Sequence, residues 1–179
     1  NPHKWLGAQF DCSIQFLANP SQQIRTMGQR PSYMETPGQP DGVNYSEWTL
    51  PLGRRFRALK LWFVLRYHGL EGLRTRIRNH VAWARELAGQ ISALPHFEVA
   101  TPCNLALFTF RFAPPGRDAD EATADLLGAI NDDGRIYLTQ ARHEGRLVIR
   151  FQVGQFDCTR DDVMSALDVL REVSRKLGR

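Results

Sequence analysis

The sequence is poor in lysine and cysteine and has no long apolar run. Of its 23 basic residues only Lys4, Lys60 and Lys176 are lysines, and arginine supplies the rest. Arginine keeps its charge, whereas lysine readily lowers its pKa when desolvated, so each lysine is a candidate for chemistry that needs a neutral amine. The three cysteines, Cys12, Cys103 and Cys158, are odd in number and lack CxxC spacing. That excludes a disulfide framework and a zinc ribbon, and predicts reduced thiols in a cytoplasmic protein. His68, His80, His96 and His143 are scattered without metal-ligand spacing, so they read as surface or packing residues and no metal site is expected. No apolar stretch approaches the roughly 20 residues of a membrane helix. Gly-x-Gly is absent, which removes a glycine-rich nucleotide loop, and there is no repeat or low-complexity tract.

What is present is an ordinary globular balance: 179 residues, 42% hydrophobic and 23% charged. That length predicts one domain, or a domain and a piece of another. A net charge of +4 permits anionic partners without requiring them. The chain opens on Asn1-Pro2-His3-Lys4-Trp5 with neither an initiator methionine nor a secretion signal. It therefore reads as the downstream part of a longer protein.

Residues 10–18 predict a short, largely buried strand. Between Asn19 and Asp41 the prolines and glycines predict a long irregular loop, the kind that serves as a lid or a binding loop. Ala58–His68 predicts a helix stopped by Gly69, and a second helix from Leu70 to about Leu94 follows. In that second helix Leu70, Leu73, Ile77, Val81, Ala84, Leu87 and Ile91 recur every three or four residues, which predicts one buried face. Trp62 and Phe63 are expected in the core. Strands are predicted over Phe97–Ala100 and Leu105–Phe112, a helix over Asp118–Asn131 with a turn to Gly134, and a hairpin of Ile136–Arg142 with Arg146–Val153. A last helix starts at Thr159, with Asp162 placed as in a capping box. Together these make a small antiparallel sheet backed by helices, an α+β layer.

Lys4 is the first candidate for chemistry. Set between His3 and Trp5 ahead of an apolar stretch, its amine could be desolvated enough for Schiff-base chemistry, or it could be a surface lysine. Gly53 either leaves room for a large group or marks the entry to a helix. Arg54, Arg55 and Arg57 read as ion-paired structural residues, with an anion-binding patch as the alternative. Cys12 lacks a neighbouring base and reads as buried and inert.

Asn1-Pro2-His3-Lys4-Trp5, the Phe10-Asp11-Cys12-Ser13 block and the run Leu50-Pro51-Leu52-Gly53-Arg54-Arg55-Phe56-Arg57-Ala58-Leu59-Lys60-Leu61-Trp62-Phe63 strongly resemble the aromatic-L-amino-acid decarboxylase family. These are pyridoxal-phosphate enzymes of fold type I, α/β overall. The resemblance covers nearly the whole chain but only the carboxyl-terminal portion of a family member. It implies that residues 1–57 end the large cofactor-binding domain, with a catalytic loop over 19–47, and that 58–179 form the small domain. It implies decarboxylation of an aromatic L-amino acid to its amine and CO2.

By the same resemblance Lys4 binds the aldehyde of pyridoxal 5'-phosphate, and His3 and Asn1 lie against the cofactor. Trp5 and Gly53 border the substrate. Pro31-Ser32-Tyr33 resembles the family's catalytic loop, whose tyrosine returns a proton to the substrate; the alternative is a tyrosine packing on the surface. Relatives that act as aldehyde synthases carry phenylalanine there, so Tyr33 favours simple decarboxylation. Gly7-Ala8-Gln9 departs from the bulkier residues common in the family, and the loop after Tyr33 is about two residues shorter than in animal relatives. A homodimer is implied for the whole protein, with no nucleic-acid or membrane partner. Two alternatives stand beside this reading: a decarboxylase of a non-aromatic amino acid, and a basic, ferredoxin-like nucleic-acid-binding module over residues 97–177. The module needs exposed aromatics on its sheet, with Phe108, Phe110 and Phe112 as candidates.

Overall fold

The structure, a computed structural model, describes residues 1–29 and 43–177. The chain divides into two compact units, Asn1–Tyr67 and His68–Arg179.

In the first unit regular structure is sparse. Residues 10–18 form no strand and, apart from Asp11 and Cys12, are exposed; Phe10 and Phe16 are 80% and 90% exposed. The expectation of a buried strand fails because an extended apolar segment becomes one only where a neighbour pairs with it. The expected irregular loop instead opens with helix α1 (Pro20–Met27). Asn19 caps it by accepting the Ser21 N–H, and Pro20 occupies the first turn, where its missing N–H costs nothing. A 3-10 turn follows at Tyr45–Trp48. Helix α2 (Arg57–Ser92) leaves helical geometry at Gly69, whose φ of 67° suits glycine. Ahead of that break Trp62 and Phe63 are more than half exposed, against the expectation that they are core.

The second unit is a four-stranded antiparallel sheet backed by helices. Strands β1 (Phe97–Asn104), β2 (Leu107–Phe112), β3 (Thr139–His143) and β4 (Arg146–Gln152) lie in the order β1-β2-β4-β3. Helices α3 (Ala119–Asp133) and α4 (Arg160–Leu177) complete it. Register places Phe108 opposite Phe151 and Phe110 opposite Ile149, and the rings of Phe108 and Phe151 stack at 5.5 Å. Leu73, Ala84, Leu87 and Ile91 of α2 are buried as their spacing predicts, although Leu70 is exposed.

The ends of these elements have identifiable causes. Asp118 caps α3 by accepting the N–H groups of Asp120 and Glu121. The helix runs on through the expected turn to Gly134, whose φ of 80° closes it. Asn131 holds both backbone groups of Leu138, at 2.9 and 3.1 Å, so β3 begins at Thr139 rather than Ile136. Thr159 and Asp162 form the expected reciprocal cap of α4.

Phe108 and Phe110 are fully buried and Phe112 nearly so. The aromatic platform that a nucleic-acid-binding sheet requires is therefore packed inside the fold. Truncating Phe110 to alanine should destabilise the protein by about 3–5 kcal/mol, read from the chemical denaturation of the full-length protein. A loss below about 1 kcal/mol would mean that the central strand relaxes around the cavity.

Candidate active site

The site grows from the first thirteen residues and the segment leading into α2. Backbone hydrogen bonds fold residues 1–8 into consecutive turns. The Lys4 N–H donates to the Asn1 carbonyl at 3.0 Å, the Gly7 N–H to Lys4 at 3.1 Å and the Ala8 N–H to Pro2 at 3.0 Å. Gly7 holds a φ of 71°, a conformation that a side chain would strain. Pro2 and Ala8 are buried beneath the turn while Lys4 is exposed, so the desolvation expected of its amine is not supplied by the described residues, which leave that side of the turn open. Among the described residues no hydrogen bond or ion pair reaches the Lys4 amine.

Residues 11–13 brace this turn. The His3 Nδ1 lies 2.5 Å from the Cys12 carbonyl oxygen and 3.0 Å from the Cys12 amide nitrogen, donating to the one or accepting from the other according to its protonation. Either way one imidazole nitrogen is committed to the Cys12 backbone, and the ring meets Phe10 edge-on at 5.0 Å. The Ser13 hydroxyl donates to the Asn1 side-chain oxygen at 2.8 Å. Cys12 is buried, with its sulfur 3.8 Å from the Arg57 carbonyl oxygen.

Arg57 fastens the assembly. Its Nε donates to both carboxylate oxygens of Asp11 at 3.0 Å, and this hydrogen bond is the main reason the Asp11 pKa lies below its ordinary value. Arg57 is thus ion-paired as expected, whereas no ion pair is recorded for Arg54 or Arg55 among the described residues. Sequence reasoning missed the Asp11–Arg57 clamp because its members lie 46 positions apart, beyond any local pattern.

Asn1, His3, Lys4 and Trp5 therefore share one braced turn, with Trp5 half-buried. Gly53 lies four residues ahead of α2, and a Cβ built there meets nothing within 4 Å. Its backbone is not left-handed either, so neither φ nor packing demands glycine at this position. Tyr33 falls outside the described residues.

Among the described residues no cluster of His, Cys, Asp or Glu could hold a metal. His80 is fully buried; its Nε2 is 3.5 Å from the Cys158 sulfur, and burial pushes its pKa down. His80 is a packing residue. No helix among the described residues is long and apolar enough to cross a membrane.

Comparison with known proteins bears directly on this turn. Residues 1–113 match the pyridoxal-dependent decarboxylase conserved domain. The chain is 38% identical over 159 residues to tyrosine decarboxylase 2 of Narcissus pseudonarcissus, covering 86% of this chain and 32% of that protein. It is 33% identical over 177 residues to a phenylacetaldehyde synthase of Arabidopsis thaliana, covering 96% and 36%. The structure superposes on a crystal structure of Oryza sativa TDC with PLP and tryptamine at a TM-score of 0.91, with 30% identity, covering 98% of this chain and 38% of that one. The chain thus spans about a third of the length of the relatives it matches.

The clamp predicts a pH dependence. Because the folded-state pKa of Asp11 is depressed, the stability it contributes is present above the ordinary carboxylate range and is lost as pH falls through the lowered value. Asp11→Asn should lower the urea midpoint of the full-length protein at neutrality, and wild type and variant should converge in acid. A gap that persists in acid would show that Asp11 acts through something other than its charge.

Proposed function

The chain belongs to the pyridoxal-dependent decarboxylase family, and from that premise we propose that the whole protein removes the carboxyl group of an aromatic L-amino acid as CO2 and releases the amine. The observation that carries this reading is the braced turn that exposes the Lys4 amine without a competing partner among the described residues. An aldehyde cofactor needs such an amine, and the donor set around it suits pyridoxal 5'-phosphate: Lys4 for the aldehyde, with His3 and Asn1 alongside. When bound, that cofactor supplies an electron sink for the pair left by the departing carboxylate.

The chain's own residues have separable tasks. Lys4 would hold the cofactor by its aldehyde through the side-chain amine. His3, with Nδ1 committed to Cys12, is fixed in orientation and presents its other ring nitrogen toward the cofactor. Asn1, tied through Ser13, keeps the turn in register. Trp5 and Gly53 border the substrate ring, and the open space at Gly53 leaves room for it. Tyr33 returns a proton to the α-carbon after CO2 has left.

In the whole protein, residues 1–57 end the large domain and 58–179 form the small one. Phe10, Phe16, Phe56, Trp62 and Phe63 are each more than half exposed. Side chains of that kind are normally covered, which supports a homodimer and a site completed by further chain. Residues 1–179 by themselves are therefore expected neither to hold the cofactor tightly nor to turn over substrate.

Borohydride reduction of the full-length holoenzyme followed by peptide mapping should find a pyridoxyl adduct on the Lys4 peptide. An unmodified Lys4 in folded, cofactor-supplied protein would refute the assignment. Similarity to a phenylacetaldehyde synthase makes the product the second question. Tyr33→Phe should cut amine output by about 10²-fold or more and, with dioxygen as the two-electron oxidant reduced to hydrogen peroxide, bring aldehyde and ammonia in its place. Aldehyde as the main product of the wild type would replace the simple decarboxylase reading with that of a synthase.

A further inference from the structure

A cavity of about 560 Å³ opens in the second unit, between the turn that enters β1, the segment after β2 and the last turns of α4. Its volume is that of a small-molecule site, and it is built entirely from residues remote in sequence from the Lys4 turn. Phe97, Phe112, Pro114 and Pro115 give it an apolar wall. The two phenylalanine rings are nearly buried and pack against each other at 5.1 Å, so the wall is rigid. Arg117, Arg171 and Arg175 line it as well.

The three arginines are not equally committed. Arg117 is engaged by Asp125 at 2.5 Å. Arg171 has only a long contact to Asp168, at 3.4 Å within its own helix. For Arg175 no ion pair is recorded among the described residues. Among the described residues no Asp or Glu lines the cavity, so Arg175 brings a positive charge to it with no acidic partner there. One further feature belongs to this wall. His96 holds a φ of 68° and its carbonyl accepts the Ala113 N–H at 2.8 Å. A left-handed backbone at a residue other than glycine persists only where its surroundings over-determine it, and such residues gather at binding sites.

We propose that this cavity is a second binding site, for a small carboxylate with an aromatic or branched apolar body. The apolar wall would cover the body while Arg175, assisted by Arg171, pairs with the carboxylate in the planar, two-pronged geometry that guanidinium favours. A primary amine of the same size meets like charge at the rim and is rejected. The site therefore separates aromatic acids from the amines that the decarboxylase reading makes the product. The inference itself does not rest on that reading.

The test uses the full-length holoenzyme and 4-benzoylbenzoate, an aromatic carboxylate that crosslinks on illumination. Adducts are expected within residues 94–97, 112–117 or 171–177, and excess 3-phenylpropionate should suppress them. Losing one charge-assisted contact should reduce labelling about tenfold in Arg175→Gln, and Arg171→Glu/Arg175→Glu should abolish it. The thermal unfolding midpoint and circular dichroism of both variants, compared with the wild type, serve as the check of folding. The neutral analogue 4-benzoylbenzamide should label these peptides weakly. Adducts found only elsewhere, labelling indifferent to both variants, or suppression by inorganic phosphate alone as effective as that by 3-phenylpropionate would each overturn the proposal.

Discussion

The candidate active site depends on the clamp between Asp11 and Arg57. A turn of eight residues closed by three backbone hydrogen bonds does not hold one geometry unaided, because ordering each residue costs about 1–2 kcal/mol of backbone entropy. The clamp, the Cys12 contacts to His3 and the Ser13 contact to Asn1 tie the turn to the start of α2. Cys12 sits at the centre of this arrangement. Its backbone takes the imidazole and its thiol faces the Arg57 carbonyl, so a buried cysteine orients the His3 ring.

An equivalent role in the second unit belongs to Asp120. One carboxylate oxygen accepts from Arg111 at 2.6 Å and from the Leu147 N–H at 3.0 Å, and the other accepts from Arg142 at 3.1 Å. The Leu147 hydrogen bond is the main reason the Asp120 pKa is lowered. A single side chain from the first turn of α3 thereby reaches β2, β3 and β4. Arg111 is almost fully buried, and a charge in that position is tolerable only when paired. The pair therefore specifies where α3 begins against the sheet, while Phe108, Phe110 and Ile149 supply the burial that drives packing.

The two units differ in what they bury. The second encloses its large aliphatic and phenylalanine side chains, with few exceptions, and α3 and the start of α4 carry recognisable caps. The first exposes large apolar side chains over much of its length. Its described elements supply too few apolar neighbours to cover them, since helix α1 buries no residue. The chain spans about a third of the length of the relatives it matches.

Local chemistry was legible from the residues alone. Gly69, Gly134, Asp118 and the Thr159–Asp162 pair mark helix ends because capping and positive φ depend on a few adjacent residues. The three-to-four spacing in α2 revealed its buried face for the same reason. The resemblance that singled out Lys4 rests on Asn1–Trp5, a contiguous motif, and so needed no tertiary information. Other features belong to the tertiary structure. Residues 10–18 have strand-like composition but no pairing partner, and Trp62 and Phe63 are apolar but uncovered. Asn131 shortens β3 from across a turn, and Asp11 meets Arg57 at a distance in sequence that no periodicity spans. The cavity beside Arg175 is assembled from three separate segments. A sequence determines what each residue can do with its near neighbours, whereas burial and ion pairing require a second surface, and only the folded chain decides which surface arrives.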